Sequence, residues 1–334
     1  MAAAACWLSS ASLRAPMEVL ADRQFRAAIA HVGGMDEMVM EFIRIPDNGH
    51  APSLARRYQS DELGHLPLAP QVMGSHDDRM YEITRQLVAR GAHRVDLNCG
   101  CPAKRVTNKG SGASLLKTPR VLGDVVRSMV GEGSDKFENV TVKMRSGFAD
   151  TGLFLDNLMA AIDGGARAVT IHPRTSRQRY DGSADWRLIK LAVDYATVPI
   201  VGNGDVKDVA GARLMLESTG CDALMIGRGA VRNPWLFHQI RASLAGEEVR
   251  FPSLAEELAF WRAYMEAGVL MRREEKGNIG RMKMIARYYF DRCDWLRSKR
   301  QEVLQSDAPS AESFHTVIAE VLEQHSMECT SCPR

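Results

Sequence analysis

Short apolar runs alternate along most of the chain with longer stretches whose apolar residues fall on one helical face. The runs cover 12–16, 38–43, 66–73, 93–98, 140–144, 168–172, 198–202 and 221–226. Runs of this length, bounded by turn residues, predict buried strands. Between them, 76–90, 121–131, 151–164, 185–195 and 206–218 predict helices. Ile83, Leu87 and Val88, for example, have the spacing of an amphipathic face. Gly91, Gly165 and Gly220 fall where those helices must stop, a position where glycine takes the left-handed conformation at little steric cost.

Strands alternating with helices imply parallel pairing through crossovers. Eight such units predict an α/β fold closed as a TIM (β/α)8 barrel, with an open doubly wound sheet as the alternative. Two strands carry residues that sit badly in one: Arg14 in the first, and Pro70 in the third, where it removes a ladder donor. Near residue 245 the pattern becomes helical throughout. Arg250-Phe251-Pro252-Ser253 reads as a linker, with Ser253 as N-cap and Glu256 completing a capping box. The chain is expected to divide into a catalytic barrel over 1–244 and a small all-α domain with a C-terminal tail over 245–334.

Composition narrows the class without fixing it. The 334 residues are 45% hydrophobic and 25% charged, ordinary for a globular protein. No apolar run approaches the roughly 20 residues of a membrane span. Seven cysteines, at 6, 99, 101, 221, 293, 329 and 332, are odd in number and scattered. They fit a reducing cytoplasm better than a disulfide framework. The Ala- and Ser-rich start, residues 1–14 without an acid, has the composition of a targeting remnant, but the first strand follows it almost at once. The formal net charge is only +2, yet ten Lys and Arg against four acids crowd residues 272–300. Such a patch suits a polyanionic partner.

In a TIM barrel the active site lies at the C-terminal strand ends. Polar groups follow the apolar runs at nearly every such exit: Met17-Glu18, Glu41, Gln71, Asn98 to Cys101, Lys143, His172, Asn203-Gly204-Asp205 and Gly227-Arg228. The last two follow the seventh and eighth strands, where backbone amides and a helix N-terminus commonly hold a phosphate. Two tight turns without a ligand are the alternative. Lys143 brings a cation into the barrel mouth, which is costly unless an anion or acceptors meet it. A flavin meets that need, since its reduced ring gains electron density near N1; a salt bridge to Glu41 or Glu18 meets it too. Asn98-Cys99-Gly100-Cys101-Pro102 is a fixed turn able to aim a thiol at a substrate, beside Lys104 and Arg105. Inert packing and a zinc site joining Cys99 and Cys101 to Cys329 and Cys332 compete with that reading; no metal is the expectation.

These segments resemble the signatures of the tRNA-dihydrouridine synthases. The match is carried by Leu97-Asn98-Cys99-Gly100-Cys101-Pro102-Ala103-Lys104, by Ala15-Pro16-Met17 with Asp22-Arg23-Gln24-Phe25-Arg26, and by Gly110-Ser111-Gly112-Ala113-Ser114-Leu115-Leu116. Val142-Lys143-Met144-Arg145, His172-Pro173-Arg174-Thr175, Asn203-Gly204-Asp205 and Ile226-Gly227-Arg228-Gly229 extend it, in order, from about residue 15 to 237. The resemblance implies an FMN-binding TIM barrel, a helical RNA-binding domain, and NADPH-dependent reduction of a D-loop uridine of tRNA to 5,6-dihydrouridine. It further implies hydride transfer from reduced FMN to uracil C6 and proton donation from Cys101 to C5. Pro16, Met17, Glu18, Gln71, Lys143, His172, Asn203, Gly204, Asp205, Gly227 and Arg228 match the family's FMN contacts, and Asn98 its contact to the target base. Val19 and Pro173 depart from the pattern, each standing where glycine is usual; the first bears on the loop near the flavin. The Cys-Gly-Cys-Pro form, with Glu18 and Glu41-Phe42, is most similar to the bacterial branch that modifies position 16.

A uracil inside folded tRNA must be extruded to enter such a pocket, at a cost of a few kcal/mol that phosphate contacts offset. Lys104, Arg105, Lys109, Arg174, Arg177 and Arg179 are expected at the barrel rim, and Lys283 and Arg287 on one helical face, to make those contacts. A solvated surface is the alternative for each helical charge. Two other functions compete: a flavin oxidoreductase of a small molecule, and an RNA-binding protein that kept the barrel without catalysis. A monomer is expected.

Overall fold

All eight expected strands form, two of them broken in the middle. The computed structural model describes residues 12–17, 20–46, 48–75, 77–108 and 110–328. The strands are β1 (Ser12–Arg14), β2 (Glu37–Val39), β3 (Ile43–Arg44), β4 (Leu68–Ala69), β5 (Gln71–Met73), β6 (Val95–Cys99), β7 (Val140–Gly147), β8 (Val169–Thr175), β9 (Ile200–Asn203) and β10 (Ala223–Ile226). Among them run α1 (Arg23–Val32), α2 (Ala51–Ala55), α3 (Asp77–Val88), α4 (Lys104–Thr107), α5 (Pro119–Val130), α6 (Phe154–Asp163), α7 (Arg187–Tyr195) and α8 (Val209–Thr219). After β10 come α9 (Arg228–Arg232), α10 (Leu236–Ala245), α11 (Leu254–Leu270), α12 (Glu275–Tyr289), α13 (Asp294–Gln305) and α14 (Ala311–Glu328). His76, the expected start of the helix now seen as α3, lies outside the described residues. Gly91, Gly165 and Gly220 take positive φ, as helix stops should.

Every neighbouring pair of strands is parallel, and β10 pairs back onto β1, with Ser12 beside Leu224. The expected second strand is split into β2 and β3, and the third into β4 and β5. Their halves pair separately, β2 with β4 and β3 with β5. The sheet is therefore a closed eight-stranded barrel, and the open alternative falls. Pro70 stands in the gap between β4 and β5. Its carbonyl accepts the amide of Asp96 at 3.0 Å, but it has no N–H for the other neighbour, which is why the strand breaks there. Arg14 is tolerated in β1: it is fully buried, and its Nη1 donates to the carbonyl of Ala15 at 2.7 Å.

Side chains alternate along a strand, so every second residue faces the barrel axis. Leu13, Ala15, Val39, Ala69, Ala168, Val201, Ala223 and Met225 make one buried cluster in this way. Each large apolar side chain so buried contributes roughly 1.5–3 kcal/mol.

By contact the chain falls into two units. The first contains β1, Asp36–Val206 and Ala210–Ile226; the second contains α1, Lys207–Val209 and the helices from α9 to α14. The second unit has its own aromatic core. Phe260 stacks on Tyr289, with centroids 5.9 Å apart and planes 7° from parallel. Trp261 packs edge-on against both rings, Phe25 edge-on against Phe260, and Tyr264 edge-on against Phe25 and Trp261. Phe25 comes from α1, and Gln24 beside it donates to the carbonyl of Tyr264 (2.9 Å) and to Asn278 Oδ1 (2.7 Å). These contacts draw α1 into the helical unit although it follows the first strand in sequence. α11 opens with the expected capping box: Ser253 Oγ accepts the amide of Glu256, whose Oε2 accepts the amide of Ser253 at 2.7 Å. Among the described residues no helix is long and apolar enough to cross a membrane.

Candidate active site

Alternation along the strands decides which polar groups can meet. Asp96 and Asn98 share a face of β6, Thr141, Lys143 and Arg145 a face of β7, and Thr170, His172 and Arg174 a face of β8. The register sets Asp96 beside Thr141, Asn98 beside Lys143, and Arg145 beside His172. Gln71 on β5 stands beside Asp96.

A chain of hydrogen bonds runs from this face to the cysteine turn. Gln71 Nε2 donates to Asp96 Oδ2 at 2.7 Å, and Asn98 Nδ2 donates to Gln71 Oε1 at 2.8 Å. Asn98 Oδ1 accepts the amides of Gly100 (3.0 Å) and Cys101 (2.9 Å). Thr141 Oγ1 donates to Asp96 Oδ1 at 2.6 Å and accepts from Arg94 at 2.6 Å. Asp96 is fully buried, and burial pushes its carboxyl up against the opposing pull of Arg94. Gln71 thus turns its amide NH2 to Asp96 and its own oxygen to Asn98. Asn98 is thereby left with its oxygen toward the turn.

The two thiols of that turn differ in kind. Cys99 ends β6 fully buried, and burial pushes its thiol far up, with the Asp96 carboxylate adding to the effect. A thiol so placed is packing. Cys101, two residues on, is half-buried beyond the strand, and its carbonyl accepts the amide of Ala113 at 3.1 Å. Arg145 braces the turn from the side: its Nε donates to the carbonyl of Gly100 at 2.9 Å, and its Nη1 to those of Thr175 (3.0 Å) and Arg179 (2.7 Å). Burial lowers the Arg145 pKa, opposed by Tyr180 and Cys101, so its charge is felt at the thiol. Tyr180, 58% exposed, lies under the Arg145 guanidinium at 5.5 Å and near the His172 ring at 6.4 Å.

Lys143 Nζ donates to Asn203 Oδ1 at 2.9 Å, and Asn203 Nδ2 donates to the carbonyl of Met225 at 2.6 Å. Burial, then the Arg145 charge, lowers the lysine to about 8, with Asp96 opposing. Among the described residues no carboxylate pairs with Lys143, so the salt bridge to Glu41 is not made; Glu18 lies outside them. At Gly204 φ is +115°, and a Cβ there would stand 3.0 Å from the His172 ring and 3.2 Å from Ala184. Backbone at this point can approach a ligand only because the residue is glycine. A half-buried ammonium held by an amide, an imidazole, two further amides and a bare glycine turn form a donor set that fits a flavin.

Gln71, Asn98, Cys101, Lys143, His172, Asn203, Gly204 and Asp205 are thus gathered in the first unit. Pro16 and Met17 are half-buried after β1; Gly227 caps α9, and Arg228 is exposed at its start. Asp205 is spoken for: its carboxylate takes Arg174 Nη1 and Nη2 at 3.0 and 2.7 Å, and the amide of Ala184 at 2.8 Å. Arg174 therefore departs from its expected place on the rim. It is 2% exposed and also donates to the carbonyl of Gly182 at 2.6 Å. Arg177 and Arg179 are exposed, α4 carries Lys104 and Arg105, and Lys109 lies outside the described residues.

The basic stretch of the second unit is more internally paired than its sequence suggests. Arg273 and Arg281 flank Asp22 at 2.7 and 3.4 Å, and Arg292 is buried on Glu257. Arg297 and Arg300 reach Asp291, and Lys299 reaches Glu302. Lys283 Nζ donates to the carbonyl of Ser306 at 2.9 Å and sits over Phe314. Arg272, Lys276 and Arg287 stay exposed. Sequence reasoning assigned no role to Asp96, Thr141 or Tyr180, and left Arg145 inside a motif without one. Counting by twos from Lys143 and Asn98 reaches Arg145, Thr141 and Asp96; no such signal marks Tyr180.

A family model described as dihydrouridine synthase matches residues 13–324. The chain is 33% identical to the tRNA-dihydrouridine(16) synthase of Neisseria meningitidis serogroup B, over 80% of this chain and 82% of that one. It is 37% identical to the tRNA-dihydrouridine(16) synthase of Pseudomonas syringae pv. tomato, over 76% and 81%. Histamine dehydrogenase from Rhizobium sp. 4-9 superposes with a TM-score of 0.53 at 12% identity, over 77% of this chain and 48% of that one, a likeness of fold. With a match spanning nearly its whole length, the chain belongs to the dihydrouridine synthase family.

Proposed function

We propose that this protein reduces a uridine in the D-loop of tRNA, at position 16, to 5,6-dihydrouridine, with FMN as its flavin and NADPH as reductant. Dihydrouridine formation in tRNA is the reaction of its family; position 16 follows the names carried by its relatives from N. meningitidis and P. syringae. The observation that carries the assignment to residues is the turn in which Asn98 accepts the amide of Cys101. That bond holds one accessible thiol at the exit of β6, beside the strand that bears Lys143.

When bound, the reduced flavin supplies the hydride for uracil C6. Lys143, His172, Gln71, Asn203 and the backbone of Gly204 and Asp205 would hold it, with Pro16, Met17, Glu18, Gly227 and Arg228 in the same set. Cys101 holds the proton for C5. Arg145, whose charge acts on Cys101, stabilises the thiolate that remains. Asn98 has two duties, orienting the turn and meeting the base. Lys104, Arg177, Arg179, Arg272, Lys276 and Arg287 serve as phosphate contacts. The protein acts as a monomer in the cytoplasm, where tRNA and NADPH are both at hand.

The test is to incubate the purified protein with FMN, NADPH and tRNA lacking dihydrouridine, then map the product by sequencing. Dihydrouridine at position 16 is expected. A flavin-loaded protein that leaves tRNA unreduced but oxidises NADPH with a small acceptor would favour the small-molecule reductase instead.

A further inference from the structure

The interior of the barrel carries charge where packing alone would be apolar. Glu37 opens β2 and Arg94 stands just before β6, both buried at the N-terminal end of the barrel. Arg94 grips Glu37 with Nε at 3.1 Å and Nη2 at 2.5 Å, and His93 Nε2 meets the same carboxylate at 2.7 Å. On its other side Arg94 Nη1 donates to Thr141 Oγ1 at 2.6 Å and lies 3.6 Å from Asp96 Oδ1. Asp96 is two residues beyond Arg94 and faces the axis with it. Lys143 is two beyond Thr141, the residue paired with Asp96. From floor to mouth the side chains thus run Glu37, Arg94, Asp96, Lys143, acid and base by turns.

The directions of the hydrogen bonds point to an ionised Asp96. Thr141 Oγ1 accepts from Arg94 and gives its own hydrogen to Asp96 Oδ1 at 2.6 Å. The amides of Gly100 and Cys101 fix the oxygen of Asn98, its NH2 fixes the oxygen of Gln71, and the NH2 of Gln71 goes to Asp96 Oδ2. Both carboxyl oxygens meet donors, whereas a protonated acid needs an acceptor for its hydrogen. Burial pushes this carboxyl up; Arg94 is the strongest of the groups that oppose it, ahead of Gln71, Thr141 and Lys143. Cys99 faces the carboxylate too, and Tyr58 faces Glu37. Around Lys143 stand Asp96 from β6, Arg145 on its own strand, His172 beside that arginine on β8, and the neutral Asn203 on β9.

We propose that Arg94 is a positioning residue of the active site: from the floor of the barrel it holds Asp96 as a carboxylate, and that carboxylate keeps the Lys143 ammonium charged at the mouth. That this charge serves a flavin rests on the function proposed above; the charge itself can be read without one. A buried ion pair costs desolvation that an apolar pair would avoid, and this task gives the Glu37–Arg94 pair a purpose beyond packing.

Flavin-free protein, isotope-labelled at lysine Cε, is titrated by NMR, with the Lys143 signal assigned by its loss in Lys143→Met. Its midpoint in the parent is expected at about 8. Arg94→Met is compared with it and, because that change strands the buried Glu37, so is the double variant Glu37→Gln/Arg94→Met. The sign of the shift decides. Without Arg94 a carboxyl that takes up a proton no longer supports the ammonium, and the Lys143 midpoint should fall by about one pH unit. A carboxylate that stayed ionised would leave the midpoint in place or, with one cation fewer nearby, raise it; either result in the folded double variant overturns the proposal. Flavin binding then separates this inference from the assigned function. If the pH above which flavin affinity weakens falls in step with the midpoint, both stand. A lowered midpoint with flavin affinity indifferent to it upholds the role of Arg94 and removes Lys143 from the flavin.

Discussion

Asn98 takes the amide hydrogen of Cys101 at 2.9 Å, and its orientation is fixed at both ends, by the amides of Gly100 and Cys101 on its oxygen and by Gln71, itself held on Asp96, at its nitrogen. Replacing Asp96 by Asn takes away one of the two oxygens that hold Gln71 Nε2 and Thr141 Oγ1, so the Gln71 end of the chain loosens while the backbone amides still hold the oxygen of Asn98. Turnover of Asp96→Asn should fall on the order of 10²-fold, the effect of displacing a reacting group by about an ångström. Its KM for tRNA and its flavin content should change little. A variant with normal kcat would remove Asp96 from the positioning of the turn.

The two neighbouring cysteines should respond oppositely. Cys101→Ala should lower turnover by about 10²–10⁴-fold, the usual contribution of a positioned proton donor, and still bind flavin. Cys99→Ala should keep its rate and lose about 1 kcal/mol of stability to the small cavity it leaves. Rates and urea midpoints on the two variants separate these outcomes.

Lys143 links stability to pH. Its pKa drops from 10.5 to about 8 on folding, so between those values the unfolded chain binds a proton that the native one has lost. Stability of the flavin-free protein should therefore rise with pH across that window and be flat, as far as this group is concerned, below it. Lys143→Met should abolish the rise in denaturation curves taken from pH 7 to 10. In the parent protein flavin affinity should weaken above about pH 8 as the cation is lost, and in the variant this dependence should disappear.

Arg174 and Arg287 were both expected to touch tRNA, and they should now part company. Removing Arg174 takes two hydrogen bonds from the partly buried Asp205, which keeps the amide of Ala184, and should cost about 1–3 kcal/mol. Arg174→Ala should show it as a lower melting temperature. Arg287→Ala should melt with the parent, bind tRNA more weakly at low salt, and reduce the salt slope of binding by about one. A melting temperature for Arg174→Ala equal to the parent's would mean that its ion pair contributes nothing.

The barrel was legible in the sequence because its signals are local. Period-two alternation, glycine stops such as Gly220 and the Ser253–Glu256 box each sit within a few residues of what they control. The breaks at 40–42 and at Pro70 were half visible: the proline marks a lost donor, but where the ladder resumes depends on partners across the sheet. Side-chain pairing was not legible. Asp22 neutralises Arg273 from 251 residues away, and Glu257 buries Arg292, so the excess of positive charge over 272–300 overstated the surface left for RNA. Arg174 misled for the same reason, since its partner Asp205 comes 31 residues later, on another strand exit. The chain Asp96–Gln71–Asn98 was hidden because it crosses two strand registers that only the closed ring fixes.

Those same breaks give the barrel a seam. Along most of the ring the wall is one continuous fabric, thickest at β7 and β8, but between the second and third strands it is joined at two heights with an unstitched stretch between them. Shear there breaks few backbone hydrogen bonds, whereas the strands bearing Lys143 and His172 are paired over five positions. The ring is thus least cross-linked beside the strand of Gln71 and most beside those of Lys143 and His172.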